Sequence, residues 1–307
     1  MLATALVEKL GKFYPEAKLD FLVRKGNENL LDNNPHLNHV LVWNKKESKY
    51  ANLFRLLKAI RANKYDLVIN LQRFASTGFL AGFSGAKAIL GFKKNPFSFL
   101  FSKSFKHEIE NGKHEVERNL KLIEHLTDSN FEKPKLYPSA ADFKVVKEYS
   151  SQPYLTLSPA SVWFTKALPK EKWVELIGLK KDFAIYVLGG PSDKAFLDEI
   201  AETSNHPNLI NMAGKLSFLQ SAALMKGATM NYVNDSAPLH FASAVDAPTT
   251  AFFCSTTPKF GFGPLATISN IVETQETLTC KPCGLHGKNT CPLKHFNCGK
   301  TISINDI

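Results

Sequence analysis

Short apolar runs of strand length alternate with amphipathic helical patterns along nearly the whole chain, and no other feature limits its fold as much. Such alternation lays down a parallel sheet with helices on its faces. In the first half, Leu2, Leu6, Leu10 and Phe13 share a helical face that ends at Pro15. Strands are predicted at 19–23, 40–43, 66–71 and 88–91, with Leu53, Leu56, Leu57 and Ile60 marking an intervening helix and further helices over 75–83 and 116–126. The second half repeats the pattern, with strands at 154–157, 184–188, 208–212, 228–233 and 248–253 and helices opened by Pro169, Asp193 and Ser217. Between the halves, 128–152 holds Pro134 and Pro138 with few periodic apolar positions, and reads as a linker. The expectation is two α/β domains, 1–150 and 151–307, for which 307 residues leave room.

One departure stands out. A domain of this kind normally opens on a strand that lies centrally in its sheet, whereas this chain opens in a helix. Loss of a central strand leaves its neighbours unpaired. Either the sheet order differs, or the true start lies upstream.

Parallel sheets bind ligands beyond the C-terminal ends of their strands. Three loops at such ends are rich in small and polar residues: 158–166, 189–193 and 234–240. In the last, Asn234, Asp235 and Ser236 follow an apolar run, and Pro238 opens a helix with His240 in its first turn. Helix N-termini attract anions, which suits the place to phosphate. The plain alternative is a strand-to-helix turn with an Asp or Ser cap. Lys166, beside Thr165 in the first loop, supplies a point charge and Gly189-Gly190 in the second permits close backbone approach. No G-x-G-x-x-G fingerprint, P-loop or G-x-S-x-G elbow occurs, which argues against dinucleotide dehydrogenases, P-loop NTPases and α/β-hydrolases.

Charge and cysteines leave other questions open. Lys and Arg outnumber Asp and Glu by 38 to 28, so anionic partners are expected, but no nucleic-acid-binding signature accompanies the charge and none is assigned. Phe92 to Lys106 mixes lysines with aromatics, as either a loop packed into its domain or a surface meeting a phosphate-bearing amphiphile or the membrane. Cys280, Cys283, Cys291 and Cys298 begin as C-x-x-C and could offer four thiolates to zinc. The later gaps of seven and six residues match no common ribbon or finger, and no metal is expected. No run reaches the length of a membrane span and the start lacks the marks of a secretory signal, so a cytoplasmic protein is expected.

Taken in order, Leu157-Ser-Pro-Ala160, Thr165-Lys166, Gly189-Gly-Pro191, Ala213-Gly-Lys-Leu-Ser217, Asn234-Asp-Ser-Ala-Pro-Leu-His240 and Cys280-x-x-Cys283 resemble glycosyltransferase family 9, the ADP-heptose:lipopolysaccharide heptosyltransferases. Leu2 to Leu10, Asp20 to Val23 and Gln72 to Gly78 are similar to its acceptor-side domain. The resemblance implies a GT-B fold, two Rossmann-like domains facing a cleft, with the donor on the C-terminal one. It implies an inverting transfer of heptose from ADP-heptose to a lipopolysaccharide core precursor, without a cofactor, with peripheral contact at the inner membrane face. Thr165 and Lys166 would meet the donor diphosphate, Lys166 stabilising the leaving ADP. Asp235, Ser236, Ala237 and His240 would line the diphosphate and sugar site, and Leu216 would lie near the adenine. Ala237 stands where the family usually has Gly. The family's general base, an Asp in a Gly-Asp pair after the first strand, would fall upstream of Met1. A non-catalytic ADP-sugar-binding relative, or an inactive fragment of such an enzyme, is the rival reading.

Overall fold

The structure, a computed structural model, describes residues 1–109, 111–305 and 307. It divides into two compact units, Leu2–Pro134 and Lys135–Ile307, the latter grouped with Met1. In each unit every strand pairing is parallel, as the alternating pattern requires.

The N-terminal unit opens with helix Thr4–Phe13. The strands β1 (Leu19–Arg24) and β2 (Leu37–Trp43) form one two-stranded sheet. A separate three-stranded sheet is made by β3 (Leu67–Asn70), β4 (Ala88–Phe92) and β5 (Lys103–Phe105). Among the described residues no ladder joins β1 to β3. Trp43, Leu53, Leu56, Ile60 and Leu80 make one core, with Leu53, Leu56 and Ile60 on the inner face of helix Lys49–Ala62. A second core of Ala81, Ile89 and Phe101 lies under the other sheet. The first helix is buried on more than its apolar stripe. Glu8 and Lys9 are both inside, Glu8 accepting from Asn34 Nδ2 and Lys9 ion-paired with Asp128. Partners of this kind make burial of charged groups tolerable.

The C-terminal unit is one six-stranded sheet: β6 (Tyr154–Ser158), β7 (Ala184–Val187), β8 (Leu209–Asn211), β9 (Met230–Asn234), β10 (Thr249–Phe252) and β11 (Ser269–Val272). Their order is β11-β10-β9-β6-β7-β8. β6, β7 and β10 are buried along their whole length, the mark of strands covered by helices on both faces. Helix Lys170–Leu179 lays Trp173, Leu176 and Ile177 on Leu155, Leu157, Ile185 and Val187. Trp173 meets Phe252 edge-on at 5.3 Å. Ile302 and Ile304, from the end of the chain, complete this core.

The structure adds two edge strands, β5 and β11, too short and polar to show an apolar run. The segment 128–152 contains helix Ala140–Val146, which packs on helix Phe218–Gly227. Ser139 begins it through a capping box with Asp142, a local signal that the sparse apolar periodicity conceals.

Candidate functional site

From β6 the strand order runs one way to β7 and β8 and the other way to β9, β10 and β11. The crevice at such a reversal is where open parallel sheets take ligands, here beyond Ser158 and Asn234. Register places Ser158 beside Val233, so the two loops leave the sheet side by side.

Asn234 ties these loops together. Its side chain is fully buried; Nδ2 donates to the Pro159 carbonyl at 2.7 Å and Oδ1 accepts from the Leu168 N–H at 2.9 Å. One carboxamide thus fixes both ends of the loop that carries Thr165 and Lys166. Lys166 Nζ reaches Asp235 Oδ2 at 2.8 Å, and Thr256 Oγ1 donates to the same oxygen at 2.6 Å. Asp235 is 6% exposed, so the ion pair is poorly screened and its geometry well defined.

Thr165 is buried and holds the loop in place. Its Oγ1 accepts from Ser255 Oγ at 3.0 Å and from the Lys288 N–H at 2.8 Å, while its own N–H donates to the Lys288 carbonyl. Gly287 lies directly against Lys166. A Cβ there would stand 2.4 Å from Trp163 Cβ and 2.7 Å from Lys166 Cγ, so only hydrogen fits. The cysteine-rich segment is therefore a strap over the site, pinned by the Cys283 N–H on the Ser255 carbonyl and by Lys281 Nζ on the Phe253 carbonyl and Glu273.

The ordinary capped turn is absent at Ser236. Its side chain makes no capping bond to helix Ala237–Ala244, and its Oγ turns back to the Asn234 carbonyl at 3.4 Å. The Asp235 carboxylate is engaged by Lys166 and Thr256. Ser236 thus leaves the first turn without a side-chain cap of its own; Pro238 has no N–H there, and the Leu239 N–H donates to the Ser236 carbonyl at 3.2 Å. Helix Phe218–Gly227, by contrast, is closed by a full Ser217–Gln220 capping box. Ser158 Oγ, at the end of β6, is buried without a hydrogen-bond partner, an expensive state unless a ligand or water satisfies it.

Thr165, Lys166, Asp235, Ser236, Ala237 and His240 therefore belong to the loops and helix start at the β6–β9 reversal. Leu216 stands apart, in the loop after β8, a strand two places from β6 in the sheet. Gly214, with φ +71°, lets its loop approach Pro191, and its N–H donates to the Gly189 carbonyl at 3.0 Å. Ser255, Thr256 and Gly287 escaped the sequence reading. Ser255-Thr256-Thr257 has the small, hydroxyl-rich character of the other three loops and also follows a parallel strand, which is the signal that could have found it.

The four cysteines Cys280, Cys283, Cys291 and Cys298 are free thiols. Among the described residues no group of three or more His, Cys, Asp or Glu side chains is arranged to hold a metal ion. Burial pushes the Cys298 thiol up to about 11 and raises Cys254 further. In the N-terminal unit three carboxylates are engaged: Asp20 accepts from Tyr65 and Asn38, Glu28 from the Gly26 N–H, and Asp66 pairs with Lys87 at 2.7 Å. Tyr65 is pushed up to about 12 by burial and by that bond to Asp20. No helix of the described residues is long and apolar enough to cross a membrane.

The chain is similar to known proteins in sequence and in fold. Residues 53–295 match the family model described as glycosyltransferase family 9 (heptosyltransferase). Lipopolysaccharide heptosyltransferase 3 of Escherichia coli is 30% identical over 272 residues, which cover 83% of this chain and 80% of that one. Among solved structures, E. coli ADP-heptose lps heptosyltransferase II superposes with a TM-score of 0.76 at 19% identity, over 92% of this chain and 91% of the other. A family 9 glycosyltransferase from Veillonella parvula DSM 2008 gives 0.80 at 21%, over 88% and 81%. An E. coli heptosyltransferase solved with ADP-2-deoxy-2-fluoro heptose gives 0.70 at 20%, over 92% of each chain. The fold is GT-B.

Proposed function

The chain belongs to glycosyltransferase family 9, the heptosyltransferases, and from that premise we propose that it transfers a heptose from ADP-heptose to a hydroxyl of a lipopolysaccharide core acceptor. The observation that carries the reading is the Lys166–Asp235 pair at the sheet's reversal point, beside a helix start that the Ser236 side chain leaves uncapped. An anionic diphosphate is favoured over that helix start, where the dipole and the backbone N–H groups meet it. Lys166 would turn part of its charge from Asp235 to the phosphate oxygens, and Thr165 would keep the loop in position from behind. To Leu216, in the loop after β8, we give the adenine of the ADP group. Asp235 accepts hydrogen bonds only, so the partner we give it is a sugar hydroxyl or the Lys166 ammonium.

In the transfer, the bond from the anomeric carbon to the β-phosphate oxygen breaks as the acceptor hydroxyl oxygen bonds to the opposite face and releases its proton to water, inverting the centre. Negative charge then accumulates on ADP, and Lys166 with the helix N-terminus stabilises it most at that moment. None of this asks for a metal or cofactor, and we place the reaction in the cytoplasm. Incubation with ADP-heptose and a core oligosaccharide acceptor tests the reading. The expected result is stoichiometric ADP release with acceptor mass raised by one heptose. Tight ADP-heptose binding with no product would favour a non-catalytic ADP-sugar binder instead.

A further inference from the structure

Three residues of the Lys166 loop have no part in the chemistry above. Val162, Trp163 and Phe164 are consecutive and apolar, yet 90%, 38% and 52% exposed. The other two tryptophans, Trp43 and Trp173, lie in the cores of their units, at 3% and 0%. A folding chain gains by burying an indole. One left at the surface among apolar neighbours, beside a polar crevice, marks a place that a ligand covers.

Trp163 is held firmly and close to Lys166. The Lys166 N–H donates to the Trp163 carbonyl at 3.0 Å, closing a turn whose ends stand within about 7 Å of each other. Gly287 of the strap packs directly on Trp163 Cβ and Cγ, so the root of the side chain is fixed before any ligand arrives. Phe164 already has a ring against it, Phe296 at 4.9 Å, which leaves the indole and Val162 to be covered. The strap also sets direction. It is pinned to the Phe253 and Ser255 carbonyls beyond β10, on the opposite side of β6 from β8 and Leu216. With adenine given to Leu216 and diphosphate to Lys166, the indole stands toward the sugar end of the nucleotide-sugar.

We propose, on the donor reading given above, that Trp163 with Val162 at its edge is a stacking platform for a sugar ring beside the diphosphate. A pyranose turns several C–H groups to one face, and these suit the negative face of an indole. Its hydroxyls stay at the ring's rim, where Asp235 or water can meet them, so one apolar face and a few polar groups together fix the ring. An indole does this at low entropic cost, having only two side-chain torsions to freeze. The ring is that of the donor heptose or of an acceptor sugar. Both present the same C–H chemistry, and separate titrations distinguish them.

Isothermal titration of the full chain tests it, with ADP, with ADP-heptose, and with a core oligosaccharide in the presence of ADP. For Trp163→Ala the ADP dissociation constant is expected within about twofold of wild type. Loss of the stacked ring should weaken ADP-heptose or the oligosaccharide about tenfold, according to which sugar it covers. Trp163→Phe keeps a ring and should recover most of that loss, with thermal midpoints unchanged in both variants. The same sugar ligand should shift the indole fluorescence of wild type, and the shift should be lost in Trp163→Phe. Two results would overturn the proposal alone. ADP weakened as much as the sugar ligands would show that Trp163 props the Lys166 turn or stacks on adenine. All three constants within about twofold of wild type would leave the indole without a sugar. Wild type without measurable ADP affinity would instead refute the donor reading, and this proposal with it. Absence of turnover counts against the transfer only, since all three titrations read binding.

Discussion

Asn234→Ala removes the one side chain that fastens both ends of the Lys166 loop to the sheet. The native carboxamide makes two buried bonds, to the Pro159 carbonyl at 2.7 Å and from the Leu168 N–H at 2.9 Å. Truncation strands both backbone groups. Each buried group left unsatisfied costs about 1–3 kcal/mol, so the total is about 2–6 kcal/mol if the loop holds its place. For a unit of this size that is a fall in Tm of roughly 4–24 °C. Should the loop instead open to hydrate these groups, the stability loss shrinks and the cost moves to ligand affinity, because Lys166 is no longer fixed before binding. Differential scanning calorimetry together with ADP titration follows both quantities. Asn234→Asp is the sharper variant: it keeps an acceptor for Leu168 but sets a carboxylate oxygen against the Pro159 carbonyl, and it should be at least as damaging as Ala. A variant with native Tm and native ADP affinity would refute the claim that this side chain holds the site.

Three further outcomes follow from the same geometry. Gly287→Ala forces the Trp163–Lys166 loop to shift, since its Cβ would lie 2.4 Å from Trp163 Cβ; overpacking of about 1–3 kcal/mol should appear as a lower Tm and weaker ADP binding, and an unchanged titration would contradict the strap. Ile302→Ala, at a fully buried position, should cost about 2–5 kcal/mol in urea unfolding; a loss under about 1 kcal/mol would mean that the end of the chain is not part of the core. Thiol alkylation should be ordered by pH. Desolvation raises the Cys291 pKa, but backbone N–H groups from Leu293 to Phe296 outweigh it and leave it below the usual thiol value, whereas Cys298 is pushed up to about 11. The thiolate is the reacting form, so as pH rises through neutrality mass spectrometry should find Cys291 modified before Cys298; the reverse order would contradict the placement of the two thiols.

The fold was legible where side chains repeat with a period. The buried apolar runs of β6, β7 and β10 and the helices at 170–179 and 218–227 could be found because parallel strands and amphipathic helices impose their period on the sequence. β5 and β11 could not, since three or four residues at a sheet edge need no apolar run. Parts of the site were legible for another reason. Lys166 and Asp235 follow strand-like runs, and residues at the ends of parallel strands are expected to meet. Ser255 and Thr256, in the loop after β10, carry the same small, hydroxyl-rich signal, whereas the contact from Gly287 depends on how the strap at 280–298 folds back, which no local pattern encodes. Asn234 was visible in its motif, but its work as a tie between two loops 66 and 75 residues apart in sequence was not.

The central claim is that Lys166, held by Asp235 at the reversal of the C-terminal sheet, receives the diphosphate of an ADP-sugar. Isothermal titration with ADP measures it, using wild type, Lys166→Met and the double variant Lys166→Met/Asp235→Asn, in which no carboxylate is left buried without its cation. Loss of a charge-assisted bond worth about 1.5–3 kcal/mol predicts roughly 10- to 150-fold weaker binding for both variants, with the double variant regaining stability but not affinity. Dissociation constants within about twofold of wild type for the folded double variant would place the diphosphate elsewhere and contradict the account.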